Sequence, residues 1–115
     1  MSDPAYVPDA GDLIWTDFDP TKGREQSGRR PALVVSAAAF SENTGFAVVC
    51  PVTSRIRPFP TSVVLPPGLP MAGEILLSNL RSIDIHARPV QYTGASIDQR
   101  TAALVHAKLA AIITI

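Results

Sequence analysis

The amino-acid sequence predicts a mainly β fold with a short α component. Five or six short antiparallel strands form a small barrel or strongly curled sheet, closed by one C-terminal helix. Three observations predict it. Short apolar runs alternate with Pro/Gly-rich turns through residue 95, and 11 of the 115 residues are proline. Apolar residues take up a helical repeat only after that point. The length suits one domain, residues 1–115, able to bury a core without a disulfide or metal staple.

Residues 12–18 (DLIWTDF) read as a strand, with Leu13 and Trp15 on one face and Ile14 and Phe18 on the other. Residues 19–23 (DPTKG) are a turn signal, followed by a polar loop too long for a tight hairpin. Residues 31–36 (PALVVS) are almost wholly apolar, which predicts a central strand, and a proline is tolerated at its first position. Residues 37–45 (AAAFSENTG) suit a short helical turn ended by Asn-Thr-Gly. Residues 46–53 (FAVVCPVT) form a third strand in which Pro51 implies a bulge or an edge.

Residues 54–60 (SRIRPFP) are a basic loop, and residues 62–65 a fourth strand stopped by PPGLP. Residues 74–77 and 80–83 are two short strands or one bent one. Ser96-Ile97-Asp98-Gln99 has the form of a capping box, with Ser96 as N-cap. From there Ile97, Thr101, Leu104, Val105, Leu109 and Ile112 recur at helical spacing, and His106 falls toward solvent.

Composition narrows the function. The chain carries 17% charged residues with ten bases against ten acids, too apolar and too evenly charged for wholesale disorder. No run is long enough for a membrane span, and the N-terminus lacks a signal-peptide pattern. A lone cysteine, Cys50, excludes an internal disulfide and fits a reducing cytoplasm. Zero net charge argues against nucleic acid, but the total hides an arrangement. Residues 1–19 sum to −5, residues 20–57 to +4 and residues 58–115 to +1. Chance scatter over solvated loops gives such a pattern, and so does one basic functional surface masked by acids elsewhere.

Metal sites find little support, because His86, His106 and Cys50 have no zinc spacing. Asp17 and Asp19 could share a strand face and hold Mg²⁺; equally, Asp17 points outward and Asp19 opens the Asp-Pro turn. Cys50 lies in an apolar strand, the setting of an inert thiol. The informative part is two basic loops. The first carries Lys22, Arg24, Glu25, Gln26, Arg29 and Arg30; the second, opening at Thr53, carries Ser54, Arg55, Arg57 and Phe59. Arg30 precedes Pro31, which holds its backbone extended, and Thr53 ends a strand. Side chains fixed at strand ends can meet as a preorganised pair.

Such a pair suits phosphodiester chemistry. A guanidinium fork matches phosphate oxygens and the charge that grows on a pentavalent transition state. A Thr53 hydroxyl could donate to the same phosphate, and Glu25 could take the proton of a ribose 2′-OH. Surface ion pairs on solvated loops are the alternative reading of the same residues.

The run 6–31, YVPDAGDLIWTDFDPTKGREQSGRRP, resembles the N-terminal signature of MazF/PemK-type toxins, sequence-specific endoribonucleases of bacterial toxin–antitoxin pairs. The resemblance continues through ALVVS (32–36), more loosely through 50–65, and beyond residue 70 rests on LRSI (80–83) and a final helix. It implies an SH3-like barrel with a C-terminal helix and a homodimer. It also implies cleavage of single-stranded RNA at short motifs without ribosome, metal or other cofactor, and an acidic MazE-like antitoxin.

By the same resemblance Arg30 and Thr53 match the family's catalytic arginine and threonine, and Glu25 its loop glutamate. The products would be 2′,3′-cyclic phosphate and 5′-OH ends. Lys22, Arg24, Gln26, Arg29, Ser54, Arg55, Arg57, Phe59, Asn79 and Arg81 are the expected RNA-binding residues. Arg29 stands where close relatives often carry His. Ser78-Asn79 stands where many carry an acid followed by Gln, which bears on the motif cut; an ACA-type motif is expected. A toxin of the same fold that poisons DNA gyrase by protein binding is the alternative, and an inactive RNA-binding barrel a third.

Overall fold

The computed structural model describes residues 5–18 and 29–115. The organising strand is Phe46–Thr53 (β3), whose apolar run is hydrogen-bonded to three others. On one edge it pairs with Arg30–Val34 (β2). On the other, its first half pairs with Arg81–Asp84 (β6) and its last two residues with Glu74–Leu76 (β5). Asp12–Thr16 (β1) continues the sheet beyond β2 and Val90–Ser96 (β7) beyond β1, while Ser62–Val64 (β4) lies outside β5. Every pairing is antiparallel. The order is β4-β5-β3-β2-β1-β7, with β6 also on β3, and among the described residues no pairing joins the two ends. The result is the curled sheet of the sequence reading rather than a closed barrel.

Pro51 lies inside a central strand, neither at an edge nor at a strand start. Val35 N donates to Val48 O at 2.9 Å, so the even residues of β3 turn their backbone groups to β2. Pro51 therefore turns its hydrogen-free nitrogen to the other edge. There it falls between the Val49↔Arg81 and Val52↔Ile75 pairs, where the partner strand changes and no ladder donor is needed.

Both faces of the sheet carry a core. Leu13, Leu33, Cys50, Ile75 and Leu77 build one, and Ile14, Ala32, Val34, Val49 and Ile83 the other. This two-sided burial explains runs that are apolar without alternation. It also keeps Leu13 and Ile14 in separate cores, with Phe18 packed on the side of Ile14. The helix Gln99–Ile112 (α2) covers the first core through Val105 and Leu109; Leu104 and Ile112 of the expected stripe stay partly exposed outside it. His106 is exposed, as expected.

The short helix Ala38–Thr44 (α1) ends at Gly45, whose φ of 78° lets its amide reach Ser41 O at 2.8 Å. Its first amide, Ala38 N, donates to Asp9 Oδ1 at 2.9 Å, a cap supplied from far along the chain. No helix among the described residues is long and apolar enough to cross a membrane.

The start of α2 and the strand before it also differ from the sequence expectation. The N-cap of α2 is Asp98, whose carboxylate accepts from Thr101 N at 3.2 Å. Ser96 is instead the last residue of β7, paired with Asp12, and its Oγ donates to Asp12 Oδ1 at 2.9 Å. β7 carries little strand signal in the sequence, because beyond Val90, which is buried in the second core, its half-buried positions are Gln91, Thr93 and Ala95, with no large apolar residue among them. Tyr6 completes this edge. Its hydroxyl donates to Asp12 Oδ2 at 2.7 Å, its ring stacks on Tyr92 at 5.2 Å, and burial followed by the Asp12 contact raises its phenol above the ordinary range.

The Thr101 hydrogen bond holds the Asp98 carboxyl below its ordinary value of 3.8. Its contribution to stability is therefore full above that pH and is lost as acid passes below it. The melting-temperature gap between wild type and Asp98→Ala should narrow on acidification below that value; a gap independent of pH would contradict the cap. A second expectation concerns Gly73, where an added Cβ would stand 2.5 Å from Thr53 O and 2.8 Å from Val52 Cγ1. Gly73→Ala should destabilise by about 1–3 kcal/mol in thermal or denaturant unfolding, since backbone has to move. An unchanged transition would refute that packing.

Candidate active site

The sheet register collects the ends of several strands. Thr16 on β1 faces Arg30 on β2, and Thr53 on β3 faces Glu74 on β5. Continuing the β2–β3 register of Ala32↔Pro51 by two residues sets Arg30 opposite Thr53. The two side chains that the sequence pairs are thus neighbours at one end of the sheet, each carried by a strand whose inner half is core. A cleft of about 570 Å³ opens there, walled by residues of β1, β2, β3 and β6 and by the segment before β5.

Arg29, Arg30 and Arg81 line this cleft, and none of the described residues lining it is acidic. Two of the three guanidinium groups lie over aromatic rings: Arg29 over Trp15 at 5.4 Å, Arg81 over Phe18 at 5.5 Å. Ring contact restrains an otherwise loose side chain and lowers the cost of gathering like charges. Arg29 Nη1 also donates to Gln91 Oε1. Thr53 Oγ1 accepts from Arg55 N at 3.2 Å, which leaves its hydrogen available to donate to a ligand. The arrangement is a cationic cleft with two hydroxyls, those of Thr53 and Ser54, in its wall.

Of the expected site residues, Arg29, Arg30, Thr53, Ser54, Asn79 and Arg81 line the one cleft. Arg55, Arg57 and Phe59 lie on the exposed loop beyond Thr53 and do not line it, and Phe59 is 67% exposed. Lys22, Arg24, Glu25 and Gln26 lie outside the described residues. Trp15, Phe18, Met71 and Ala72 line the cleft without having been singled out. Alternation along residues 12–18 assigns faces but does not say where a sheet ends in a hollow. Nothing in the spacing marks Met71.

The other chemistries weighed on the sequence have less to stand on. Asp19 lies outside the described residues, and among those described no group of three His, Cys, Asp or Glu side chains could hold a metal ion. Asp17 O accepts from Arg88 Nη1 at 2.7 Å, which fixes the exit of β1. Cys50 is fully buried, and burial pushes its thiol up to about 12, far from a reactive thiolate.

Known proteins share this architecture. Residues 9–113 match the family described as PemK-like, MazF-like toxin of type II toxin–antitoxin system, well past the N-terminal motifs. The chain is 41% identical over 108 residues to the Endoribonuclease toxin MazF of Escherichia coli K12, covering 94% of this chain and 96% of that protein. The crystal structure of MazF (Form-I) from Deinococcus radiodurans superposes with a TM-score of 0.83 at 43% identity, covering 96% of this chain and 99% of that one. MazE–MazF (Form-III) from the same organism gives 0.83 at 42% identity, with 93% and 96% covered. With cleft, fold and sequence in agreement, the chain belongs to the PemK-like, MazF-like toxin family of type II toxin–antitoxin systems.

Proposed function

We propose that this MazF-type toxin is an endoribonuclease that cuts single-stranded RNA at a short motif, without ribosome or metal, by attack of a ribose 2′-OH on the adjacent phosphate. The observation that carries the reading is the three-arginine cleft with the Thr53 hydroxyl at its rim. In-line attack gathers negative charge on the equatorial phosphate oxygens. Arg30 is the natural stabiliser of that charge, because its fork is always protonated and its backbone is held extended before Pro31.

Thr53 donates a further hydrogen bond to the phosphate. Glu25 takes the 2′-OH proton, and water protonates the departing 5′-oxygen, since a guanidinium is too weak an acid for that step. Carbon–oxygen bonds stay intact. The new P–O2′ bond replaces the P–O5′ bond, leaving 2′,3′-cyclic phosphate and 5′-OH ends.

Lys22, Arg24, Gln26, Arg29, Ser54, Arg55, Arg57, Asn79 and Arg81 hold the strand on either side, with Phe59 available to stack on a base. Arg29 and Arg81 are already aimed at the cleft by their aromatic partners. An acidic MazE-like antitoxin is the partner whose charge complements this surface, and MazE–MazF crystal structures of the Deinococcus radiodurans relatives support it. A homodimer completes the reading, as the family resemblance implies.

Purified protein incubated with RNA in the absence of ribosomes should cut it, and the mapped ends should be cyclic phosphate and 5′-OH. Arg30→Ala and Thr53→Ala should each lower the rate by about 10²–10³ with little change in melting temperature. Cleavage by Arg30→Ala at the wild-type rate would end this mechanism. EDTA should leave the wild-type rate unchanged; loss in EDTA restored by Mg²⁺ would favour a metal held by Asp17 and Asp19. No cleavage by the wild type would point instead to a protein target such as gyrase.

A further inference from the structure

Glu74 is the one buried charged residue among the described residues, and the cleavage chemistry leaves it unused. It is 1% exposed, opens β5 and faces Thr53 across the ladder. A carboxylate taken out of water is tolerated only where hydrogen-bond donors meet it, and both of its oxygens are met. Oε1 accepts from Arg57 N at 2.7 Å, and Oε2 accepts from Ser62 Oγ. Both donors belong to the β3–β4 connection or its exit, the segment that carries Arg55, Arg57 and Phe59.

The rest of that connection is tied to the same post. Ser62 Oγ also accepts from Phe59 N at 3.2 Å, and Ser62 N donates to Phe59 O at 3.0 Å. Ser62 O in turn accepts from Lys108 Nζ of α2 at 2.8 Å. At the other end Arg55 N donates to Thr53 Oγ1. Arg55, Ile56, Arg57, Pro58, Phe59 and Pro60 are all exposed, so little side-chain burial holds them. The interior acceptor does. Gly73 lets this post stand close, since a Cβ there would collide with Thr53 O.

We propose that Glu74 is a positioning residue: its carboxylate sets the course of the β3–β4 connection and so presents Arg55 and Arg57 to the RNA strand leaving the cleft. The role rests on the RNA-cleavage reading above. It acts on binding more than on the chemical step, because Thr53 itself is held by backbone pairing that does not involve the Glu74 side chain.

Three variants test it: Glu74→Val, Ser62→Ala and Glu74→Gln. The first removes the acceptor and the second removes a donor without touching the carboxylate. The third keeps an acceptor for Arg57 N and offers an amide to Ser62 Oγ. Amide exchange at Arg57 should quicken by about tenfold in Glu74→Val, the scale of one donor losing its acceptor, and by less in Ser62→Ala. KM for single-stranded RNA should rise by about tenfold in Glu74→Val with kcat within about threefold. The slope of log(kcat/KM) against log salt should become shallower by up to about 1.4, as two phosphate contacts loosen.

Glu74→Gln should stay near wild type in all three readouts. Unchanged Arg57 exchange and KM in a folded Glu74→Val or Ser62→Ala would overturn the proposal, and so would Glu74→Gln failing as badly as Glu74→Val. A wild type that does not cleave RNA, yet whose Arg57 protection depends on Glu74, would overturn the cleavage reading and leave the anchoring intact.

Discussion

Everything in this fold hangs on one strand that changes partners halfway along. β3 is bonded along one edge to β2 throughout its middle, but on the other edge it passes from β6 to β5 at Cys50–Pro51. A residue with an amide hydrogen aimed into that gap would carry a donor that neither strand accepts. Proline removes the donor. The interruption then becomes an opening, because the chain between β5 and β6 bows away through the 3-10 turn Leu77–Asn79. Pro51, Val52, Asn79 and Arg81 all line the cleft beside it. The same partner change that bends the sheet therefore creates the place where a ligand can enter.

The second constraint is electrostatic. Three arginines around one cleft repel one another, and the cleft wall offers no carboxylate among the described residues to relieve them. The protein uses two aromatic faces instead. Trp15 and Phe18 sit near the exit of β1 and each supports a guanidinium, so charge is concentrated without being neutralised. A neutralising partner would compete with an anionic ligand, whereas an aromatic ring restrains the arginine and leaves its donors free. This is also why zero net charge says nothing against an RNA substrate: the basic segment is compensated elsewhere, while the described wall of the cleft holds three arginines and no acid.

Much of the fold was legible in the sequence because its signals are local. Gly45 ending a short helix, the almost wholly apolar β2 and the extent of β3 each follow from residues adjacent in the chain. The failures have a common cause. β7 has a single apolar core residue, Val90, and its other inward positions, Gln91, Thr93 and Ala95, gain their place from pairing with β1 rather than from apolarity. Ser96 looked like a cap because its sequence neighbours fit a capping box. Its partner Asp12 claims it for the sheet, and the cap passes to Asp98.

The candidate site divides in the same way. The sequence by itself determined the chemical types: an arginine held extended before a proline, a threonine at a strand end, and basic residues clustered in two loops. These depend on residue identity and on backbone rules that act over one or two positions. Only the tertiary structure decided that Arg29, Arg30, Thr53, Asn79 and Arg81 share one cleft, that Trp15 and Phe18 lie beneath two of the arginines, and that Arg55, Arg57 and Phe59 stand outside it. It alone decided that Glu74 is an interior anchor rather than a surface strand residue. The physical reason is register. Which side chains meet across a sheet is set by pairing between strands far apart in the chain, and no local pattern of residues encodes that pairing.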